Sequence, residues 1–270
     1  MRKILSILLL FIVLFLTGCN NPTEQDNTPT FTVGMECGYA PFNWTENQKT
    51  ETNYPIDGTN LYAEGYDVQI AKIIAEKLGC KLVIKAIEWG GLISALESNQ
   101  IDAIIAGMSD TEDRRVNVDF TQPYYRSTHV LVMAKDSKYV NGKTLSDFEG
   151  ANVVGQIDTL YDSLIDQLSN ANHLTPLEDV PTIITSITAK RADITILEEP
   201  VAKGVVGTNP LLTYIKLKQG FTVSEEDVCV AIAIRKGDTE LNEEVSNALN
   251  QITQEQRTQL MDEAIERSAQ

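Results

Sequence analysis

The fold is decided by the stretch YDVQIAKIIAEKLG, residues 66–79. Its apolar side chains return every three or four residues, a spacing that places them on one face of an α-helix. Gly79 closes the stretch, and glycine is the residue that most often follows the last turn of a helix. The apolar positions are Val68, Ile70, Ala71, Ile74, Ala75 and Leu78. The stretch therefore predicts an amphipathic helix with one buried face.

Short apolar runs flank this helix on both sides. FTVGM, residues 31–35, alternates its apolar residues as a strand does, and it comes before the helix. After the helix, we predict a strand near 81–87, a short helix near 90–98 and a strand at 101–106. The order β-α-β-α-β is typical of an α/β protein, rather than of an all-helical or all-β one.

A second unit repeats this alternation. Apolar runs lie at 129–134, 151–155, 192–197 and 228–234, and helical patterns lie at 159–169 and 182–190. Strands joined by helices pair mostly in parallel, and ligands of such sheets bind at the carboxyl ends of the strands. The turns after residues 35, 105, 155 and 197 are therefore the places to look for a site.

The N-terminus has the pattern of an exported protein. Arg2 and Lys3 precede an apolar run at 4–16, which is too short to favour a membrane span. The run ends in Leu-Thr-Gly-Cys, which resembles the lipobox of bacterial lipoproteins, so we expect 1–18 to be a signal peptide and Cys19 to be lipidated. Residues 20–30 are polar and predict a flexible tether. The alternative is a buried N-terminal helix that ends in an ordinary cysteine.

Composition excludes several classes of partner and chemistry. The formal net charge is −16, which argues against nucleic acid or anionic lipid as the main partner. Cys37, Cys80 and Cys229 lack a short Cys-x-x-Cys spacing, and they leave open whether two of them pair. His129 and His173 lie far from the cysteines in the sequence, so we expect no metal site and no cofactor.

The four strand-end turns carry groups that suit a small zwitterion. The first contributes an aromatic-rich loop, the second a cation, the third a helix start with hydroxyl and amide groups, and the fourth a carboxylate. The residues concerned are Glu36, Tyr39, Gly107, Ser109, Arg114, Gln156, Thr159 and Glu198.

Plainer explanations exist for some of these residues. Asp110 and Arg114 are four apart and could form a solvated intrahelical pair worth about 0.3–0.5 kcal/mol. Ser109 with Glu112 forms a capping-box pattern, which is compatible with ligand contact. Aromatic residues in such loops more often pack in a core than line a site, and this applies to Tyr39, Phe42 and Tyr66, with Trp44 also expected to pack. Trp89 could equally line the cleft or cap the core.

Several motifs together resemble the extracellular solute-binding proteins of amino-acid ABC transporters. They cover residues 31 to about 250 in the order and spacing of that family. The motifs are YAPFNW (39–44), GYDVQIAKIIAEKLG (65–79), IDAIIAGMSDTEDRR (101–115), VDFTQPYY (118–125), ADITILEEPVA (192–202) and IAIRKGD (232–238).

This resemblance implies an α/β, two-lobed periplasmic-binding-protein-like fold of type II. Two parallel-dominated sheets would be joined by a hinge of two strands and would close on one amino acid. Lobe one would comprise residues 31–126 and 225–270, and lobe two residues 127–224. The chain would cross between the lobes near Ser127 and again near Ser224.

The resemblance also implies a role for each candidate residue. Arg114 matches the arginine that grips the ligand α-carboxylate with two parallel hydrogen bonds. Gly107, Ser109 and Thr159 match partners of the same carboxylate, and Glu198 matches the acid that holds the α-ammonium group. Tyr39 and Tyr66 match positions where aromatic rings stack on the ligand side chain.

Specificity is expected to come from Glu36 and Gln156, which would face the ligand side chain. A carboxylate there favours arginine, lysine or histidine, with glutamine next, because a buried acid is costly unless it is paired. Glu36 could instead bond the hinge, or reach the ligand through water. Asp158 departs from the family, which commonly has glycine there. It could cap the following helix, but its charge would oppose an anionic group in the cleft.

The resulting expectation is a monomeric, lipid-anchored receptor outside the cell membrane that passes an L-amino acid to an ABC permease. A receptor for glutamine or another polar amino acid is the nearest alternative. A dehydratase-like enzyme on the same fold is less consistent with the sequence, since no nucleophile and base accompany the acids. A sensory or adhesive protein would need an added signalling region or an exposed partner patch, and the sequence shows neither.

Overall fold

The computed structural model describes residues 28–269. The predicted signal peptide, Cys19 and most of the predicted tether lie outside this range. Among the described residues, no helix has both the length and the apolar character needed to cross a bilayer.

Sixteen strands and eight α-helices form within the described range. The strands are β1 (Thr30–Met35), β2 (Gly38–Tyr39), β3 (Asn43–Glu46), β4 (Tyr54–Pro55), β5 (Tyr62–Glu64), β6 (Lys81–Ala86), β7 (Ala103–Ile104), β8 (Val118–Phe120), β9 (Tyr125–Arg126), β10 (His129–Ala134), β11 (Asn152–Val153), β12 (Asn172–His173), β13 (Ile194–Glu198), β14 (Leu212–Ile215), β15 (Cys229–Val230) and β16 (Ala233–Arg235). The helices are α1 (Tyr66–Lys77), α2 (Leu92–Glu97), α3 (Glu112–Arg115), α4 (Leu160–Leu164), α5 (Val180–Thr188), α6 (Glu199–Thr208), α7 (Thr239–Asn250) and α8 (Gln254–Ser268).

Two five-stranded sheets form the centres of two lobes. The first has the order β6-β1-β7-β16-β8, and the second has the order β12-β11-β13-β10-β14. A small sheet, β2-β3-β5-β4, lies beside the first one. The two-lobed α/β fold predicted from the sequence is confirmed.

Both large sheets are mixed, whereas the prediction had parallel pairs dominating. β1 pairs in parallel with β6 and β7, but β16 pairs antiparallel with β7 and β8. In the second sheet, β11 has parallel neighbours and β10 has antiparallel ones. In the first sheet, the antiparallel strand is β16, which the chain forms after it returns from the second lobe. It runs opposite to β7 and β8, which the chain forms before it leaves the first lobe.

The chain passes between the lobes along β9 and β15, which pair antiparallel. Just beyond β9, the Ser127 N–H donates to the carbonyl of Val228 at 3.0 Å. All the strands of the first large sheet precede residue 127 or follow residue 224, and all those of the second lie between these two positions. The exact lobe boundaries at 126/127 and 224/225 stay a prediction.

Most helices and strands occur where the apolar pattern predicts them, but many of them are shorter than predicted. α1 begins at Tyr66 as predicted and ends at Lys77, two residues before Gly79, which has φ +66°. Its buried face includes Val68, Ile70, Ala71, Ile74 and Ala75. The predicted strand at 228–234 is interrupted and forms the two separate strands β15 and β16, because its first half pairs with β9 and its second half joins the large sheet.

The lobes also touch away from the two connecting strands. α6 of the second sheet's lobe packs on the C-terminal helix α8, and Val201 and Ala202 of α6 belong to the same buried cluster as the first lobe's core. A side chain at Gly204 would come within 3.0 Å of the Ser268 hydroxyl, so the two helices approach closely at this point.

Candidate functional site

A cavity of about 290 Å³, partly open to solvent, lies between the two lobes. It lies at the ends of β1, β7 and β11, as expected for ligands of sheets with helical connections. Seven of the nine predicted ligand residues line it: Glu36, Tyr39, Gly107, Ser109, Arg114, Gln156 and Thr159. Trp89, Leu160 and Tyr161 complete the wall.

Arg114 reaches the cavity from α3, the short helix whose N-cap is Thr111. Its Nη1 donates to the Ser109 carbonyl at 2.8 Å, and its Nη2 donates to the Asp158 carbonyl at 3.1 Å. The second bond joins the two lobes. Among residues 28–269, no carboxylate lies within ion-pair distance of this guanidinium.

The plainer explanation for Arg114 is wrong, because Asp110 pairs with the next residue instead. The Arg115 Nε donates to an Asp110 carboxylate oxygen at 2.6 Å, and Asp110 is buried. The capping-box interpretation of Ser109 is wrong as well. The Thr111 hydroxyl accepts from the Arg114 N–H, so the helix starts two residues later than that pattern implies.

Burial lowers the pKa of Arg114 to about 10, and the nearby Tyr161 and Asp158 oppose that shift. The guanidinium remains charged at neutral pH. Its central carbon also lies 5.0 Å from the centre of the Trp89 ring, a distance at which a cation is attracted to an aromatic face. The cavity thus holds a positive charge that carbonyls and a ring orient but no acid neutralises.

The turn after β7 requires glycine at position 107. Gly107 has φ +63°, a left-handed conformation that side chains disfavour, and a Cβ here would lie 3.1 Å from the Tyr39 ring. Its N–H donates to the Tyr124 hydroxyl at 3.1 Å. Ser109, two residues on, is buried, and its carbonyl orients Arg114.

Glu36 and Gln156 face one another across the cavity. The Gln156 amide donates to a Glu36 carboxylate oxygen at 3.0 Å and to the Glu178 carbonyl at 2.9 Å. The pKa of Glu36 is raised to about 7, mainly by burial and also by the charges of Asp179 and Glu88, and the bond from Gln156 opposes this rise. An acid with a raised pKa therefore stands where the sequence analysis placed the ligand side chain.

Asp158 adopts a left-handed conformation with φ +58°, which glycine adopts most easily and which aspartate tolerates better than most residues. Its carbonyl accepts from both Arg114 and the Trp89 indole N–H, at 3.1 and 3.2 Å. Its carboxylate is exposed and lines an outer groove rather than the cavity. The expected capping role belongs instead to Thr159, whose hydroxyl accepts from the Asp162 N–H.

Tyr66 is not part of the cavity wall. It is fully buried, its ring packs against Tyr124 and Tyr125, and its hydroxyl donates to the Tyr124 carbonyl at 2.8 Å. The predicted stacking on a ligand therefore has no support from this arrangement, because Phe42 and the other core rings already surround Tyr66.

Glu198 is also absent from the cavity wall, although it is buried at the end of β13. Within the described range, neither of its carboxylate oxygens has a hydrogen-bond partner. Burial raises its pKa well above the ordinary value, since no neighbouring cation stabilises the charged form. A buried acid without a partner is costly, and a cation placed beside it would remove that cost.

Sequence reasoning missed Leu160 and Tyr161 in the wall. Tyr161 is buried and lies in the first turn of α4, two residues after the predicted Thr159. This position close to a predicted ligand residue could have indicated that Tyr161 lines the cavity. Trp89 was left undecided between wall and core, and its ring lines the cavity.

Cys37, Cys80 and Cys229 are free thiols. No group of histidine, cysteine, aspartate and glutamate side chains within residues 28–269 has the geometry to hold a metal ion.

Residues 31–264 match the family described as bacterial extracellular solute-binding proteins, family 3. The arginine-binding extracellular protein ArtP of Bacillus subtilis (strain 168) is 30% identical over 261 residues, covering 93% of each chain. A probable histidine-binding protein of Campylobacter jejuni is 30% identical over 220 residues, covering 78% of this chain and 80% of that protein.

A solved structure shares the fold. The amino acid ABC transporter substrate-binding protein AbpA from Streptococcus pneumoniae, bound to L-arginine, aligns with a TM-score of 0.76 at 26% identity. The alignment covers 89% of this chain and 96% of that one.

Proposed function

Since the chain belongs to the bacterial extracellular solute-binding proteins of family 3, we propose that it captures an L-amino acid with a basic side chain between its lobes. The family consists of solute-binding proteins of ABC transporters, so the chain is a binding protein and not an enzyme. The observation that carries the proposal is a cavity between the lobes that is lined both by Arg114, which has no acidic partner within residues 28–269, and by Glu36, whose pKa is raised.

The ligand α-carboxylate binds Arg114 in this proposal. The planar guanidinium can give two parallel hydrogen bonds to a carboxylate, which would replace its bonds to carbonyls. Ser109 and Thr159 lie in the same wall, one in each lobe, and each carries a hydroxyl group. The Thr159 hydroxyl donates to the Gln156 carbonyl at 2.7 Å and would exchange that bond for one to the ligand. A ligand held this way contacts both lobes and favours their closed arrangement.

The ligand α-ammonium group binds Glu198. The buried carboxyl lacks a partner in the described structure, so an ammonium group beside it would form a charge-assisted bond and favour its ionised form. Because Glu198 is behind the present wall, this contact requires a rearrangement of that wall when ligand enters.

The ligand side chain extends between the Tyr39 and Trp89 rings towards Glu36. A positively charged end satisfies the buried carboxylate and attracts the ring faces. Relatives named for binding arginine and histidine support a basic ligand. Glutamine is the alternative, because its amide could bond both Glu36 and Gln156.

Delivery and anchoring complete the proposal. We expect Cys19 to carry the lipid that holds the chain at the outer face of the membrane, with 1–18 removed and 19–30 as the tether. The receptor is then a monomer that presents its closed lobes, 31–126 with 225–270 and 127–224, to the permease subunits. Metabolic labelling with a fatty-acid analogue checks the anchor, and Cys19→Ser should lose the label.

Calorimetry with the common amino acids tests the binding proposal. We expect saturable binding at about micromolar affinity or tighter for arginine, lysine or histidine, equivalent to about −8 kcal/mol. Arg114→Ala should weaken it by at least about a hundredfold, because the ligand carboxylate then loses its charged partner.

Arg115→Ala is the matched control. It removes an adjacent arginine of the same helix that is half exposed and bonded to Asp110. This control should bind like the wild type. Absence of binding to every amino acid tested, or equal losses in the two arginine variants, would contradict the proposed function.

A further inference from the structure

A buried hydrogen-bond network under the cavity centres on Asp67, the second residue of α1. Asp67 is fully buried, and both of its carboxylate oxygens accept hydrogen bonds from other elements. The Asn43 amide donates to one oxygen at 2.8 Å, and the Tyr124 hydroxyl donates to the other at 2.6 Å. Each donor leads to a different loop of the cavity wall.

The first branch runs through Asn43 to the loop after β1. The Asn43 side-chain oxygen accepts from the Cys37 N–H at 2.7 Å. Cys37 has φ +58°, a conformation that few residues other than glycine adopt without support. Its neighbours Glu36 and Tyr39 both line the cavity, at the end proposed for the ligand side chain.

The second branch runs through Tyr124 to the loop after β7. The Tyr124 hydroxyl passes one bond to Asp67 and accepts another from the Gly107 N–H at 3.1 Å. Gly107 is likewise left-handed, and Ser109 of the same loop orients Arg114 through its carbonyl. This loop belongs to the end of the cavity proposed for the ligand α-carboxylate.

The network needs an acceptor at both oxygens of residue 67. Burial raises the pKa of Asp67 to about 7, and hydrogen bonds from Tyr124, from Asn43 and from the Gly107 backbone oppose that rise. Asparagine at this position would present a donor in place of one acceptor, so either Asn43 or Tyr124 would lose its partner. One carboxylate therefore fixes two loops that have no direct bond with each other among those described here.

We infer that Asp67 is a positioning residue for ligand binding, holding the side-chain end of the cavity through Asn43 and the carboxylate end through Tyr124. It touches no ligand itself, and the inference rests on the proposed function. The two branches predict different losses. Removing the Tyr124 branch should weaken binding of the α-carboxylate, which all amino acids have. Removing the Asn43 branch should weaken binding of the side chain, which differs between amino acids.

Calorimetry with arginine and with glutamine tests the inference, because these ligands share their α-groups and differ in the side chain. Tyr124→Phe should weaken both by about tenfold, since Gly107 loses an acceptor. Asn43→Ala should weaken arginine by about tenfold more than glutamine, since the loop that carries Glu36 loses its support. Asp67→Ala removes both acceptors and should combine both losses, whereas Asp67→Asn keeps one acceptor and should show only one of them.

Tyr54→Phe is the matched control. It also removes a tyrosine hydroxyl of the first lobe, one that donates to the Leu82 carbonyl at 3.0 Å and has no bond to the cavity loops. Its affinities should stay within about twofold of the wild type. Thermal unfolding of each variant separates loss of fold from loss of binding, and Tyr124→Phe removes only one oxygen while keeping the ring that stacks on Tyr66.

Two outcomes would overturn the inference alone. The first is binding by Tyr124→Phe and Asn43→Ala that matches the Tyr54→Phe control. The second is an equal loss for both ligands in every variant, which would indicate general loosening of the lobe. A wild-type chain that binds no amino acid would overturn the proposed function and this inference with it.

Discussion

Glu36 is the residue whose protonation should control affinity near neutral pH. Its carboxyl has a pKa raised to about 7, so it is neutral below that value and charged above it. A neutral carboxyl cannot pair with a basic side chain. Affinity for arginine should therefore fall as the pH drops from about 8 to about 6, approaching tenfold per pH unit below the pKa.

Calorimetry at several pH values checks this prediction with two comparisons. Glutamine should show a weaker pH dependence, because its side chain has no charge to match. Glu36→Gln should flatten the arginine profile and reduce the preference for arginine over glutamine. An unchanged profile in Glu36→Gln would assign the titration to another group, such as Glu198.

The buried carboxyl of Glu198 should lower the stability of the ligand-free protein and strengthen its binding of an amino acid. Its raised pKa means that folding favours the protonated form, while the unfolded chain ionises near its ordinary pKa of about 4.5. The ligand-free protein should therefore lose stability as the pH rises above that value. Glu198→Gln should raise the melting temperature at about pH 8, yet weaken amino-acid binding by at least about thirtyfold.

Thermal unfolding and calorimetry on the same preparation test both effects. Glu199→Gln is a suitable control, because this neighbouring acid is partly exposed and already bonded to Lys216. A Glu198→Gln variant that melts lower than the wild type would contradict the prediction.

Individual site residues could be predicted only where the position of a family motif agreed with the chemistry of the side chain. The local sequence does not separate Arg114 from Arg115, and only the structure shows that Asp110 bonds the second. Tyr66 and Glu198 match positions of the family motifs, yet neither lines the cavity. Packing of the neighbouring side chains decides whether a residue faces the cavity, and the motif does not predict that packing.

At the level of elements, the turn before α4 depends on the backbone at Asp158. Aspartate tolerates its left-handed conformation better than alanine does, and glycine tolerates it best. Asp158→Ala should therefore lower stability by about 1 kcal/mol relative to Asp158→Gly. Thermal or urea unfolding of the two variants measures the difference.

Both variants keep the carbonyl that accepts from Arg114 and Trp89. If the backbone conformation is what matters, Asp158→Gly should also retain ligand affinity. A glycine variant less stable than the alanine one would show that the carboxylate, not the backbone, stabilises this turn.

Periodicity predicts long elements well and short ones poorly. α1 and the six-residue strands β1, β6 and β10 lie close to their predicted ranges, because a full face of apolar residues marks each of them. α3 has four residues, too few to show a helical period. β2 to β5 form a small sheet that no alternation of apolar and polar residues predicted. The strands of the small sheet are held by antiparallel pairing with one another, and α3 begins where the Thr111 side chain caps it.

At the scale of the whole molecule, the three described cysteines should add no covalent stability. Cys37, Cys80 and Cys229 are free, although the sequence had left open a disulfide between two of them. A reductant should therefore leave the melting temperature unchanged, whereas a disulfide would contribute about 2–4 kcal/mol. Titration of the denatured chain without residues 1–27 should find all three thiols, and a lower count would contradict this prediction.

The contact between α6 and α8 bears on how the protein could be used as a sensor. The C-terminal helix starts in one lobe and ends against the other, where Ser268 meets Gly204. A fluorophore attached near Ser268 lies at this contact between the lobes, so it is expected to sense their separation in the proposed opening. Its emission would report ligand capture without any label in the pocket, and a bulky C-terminal tag at the same place would bias the protein towards the open form.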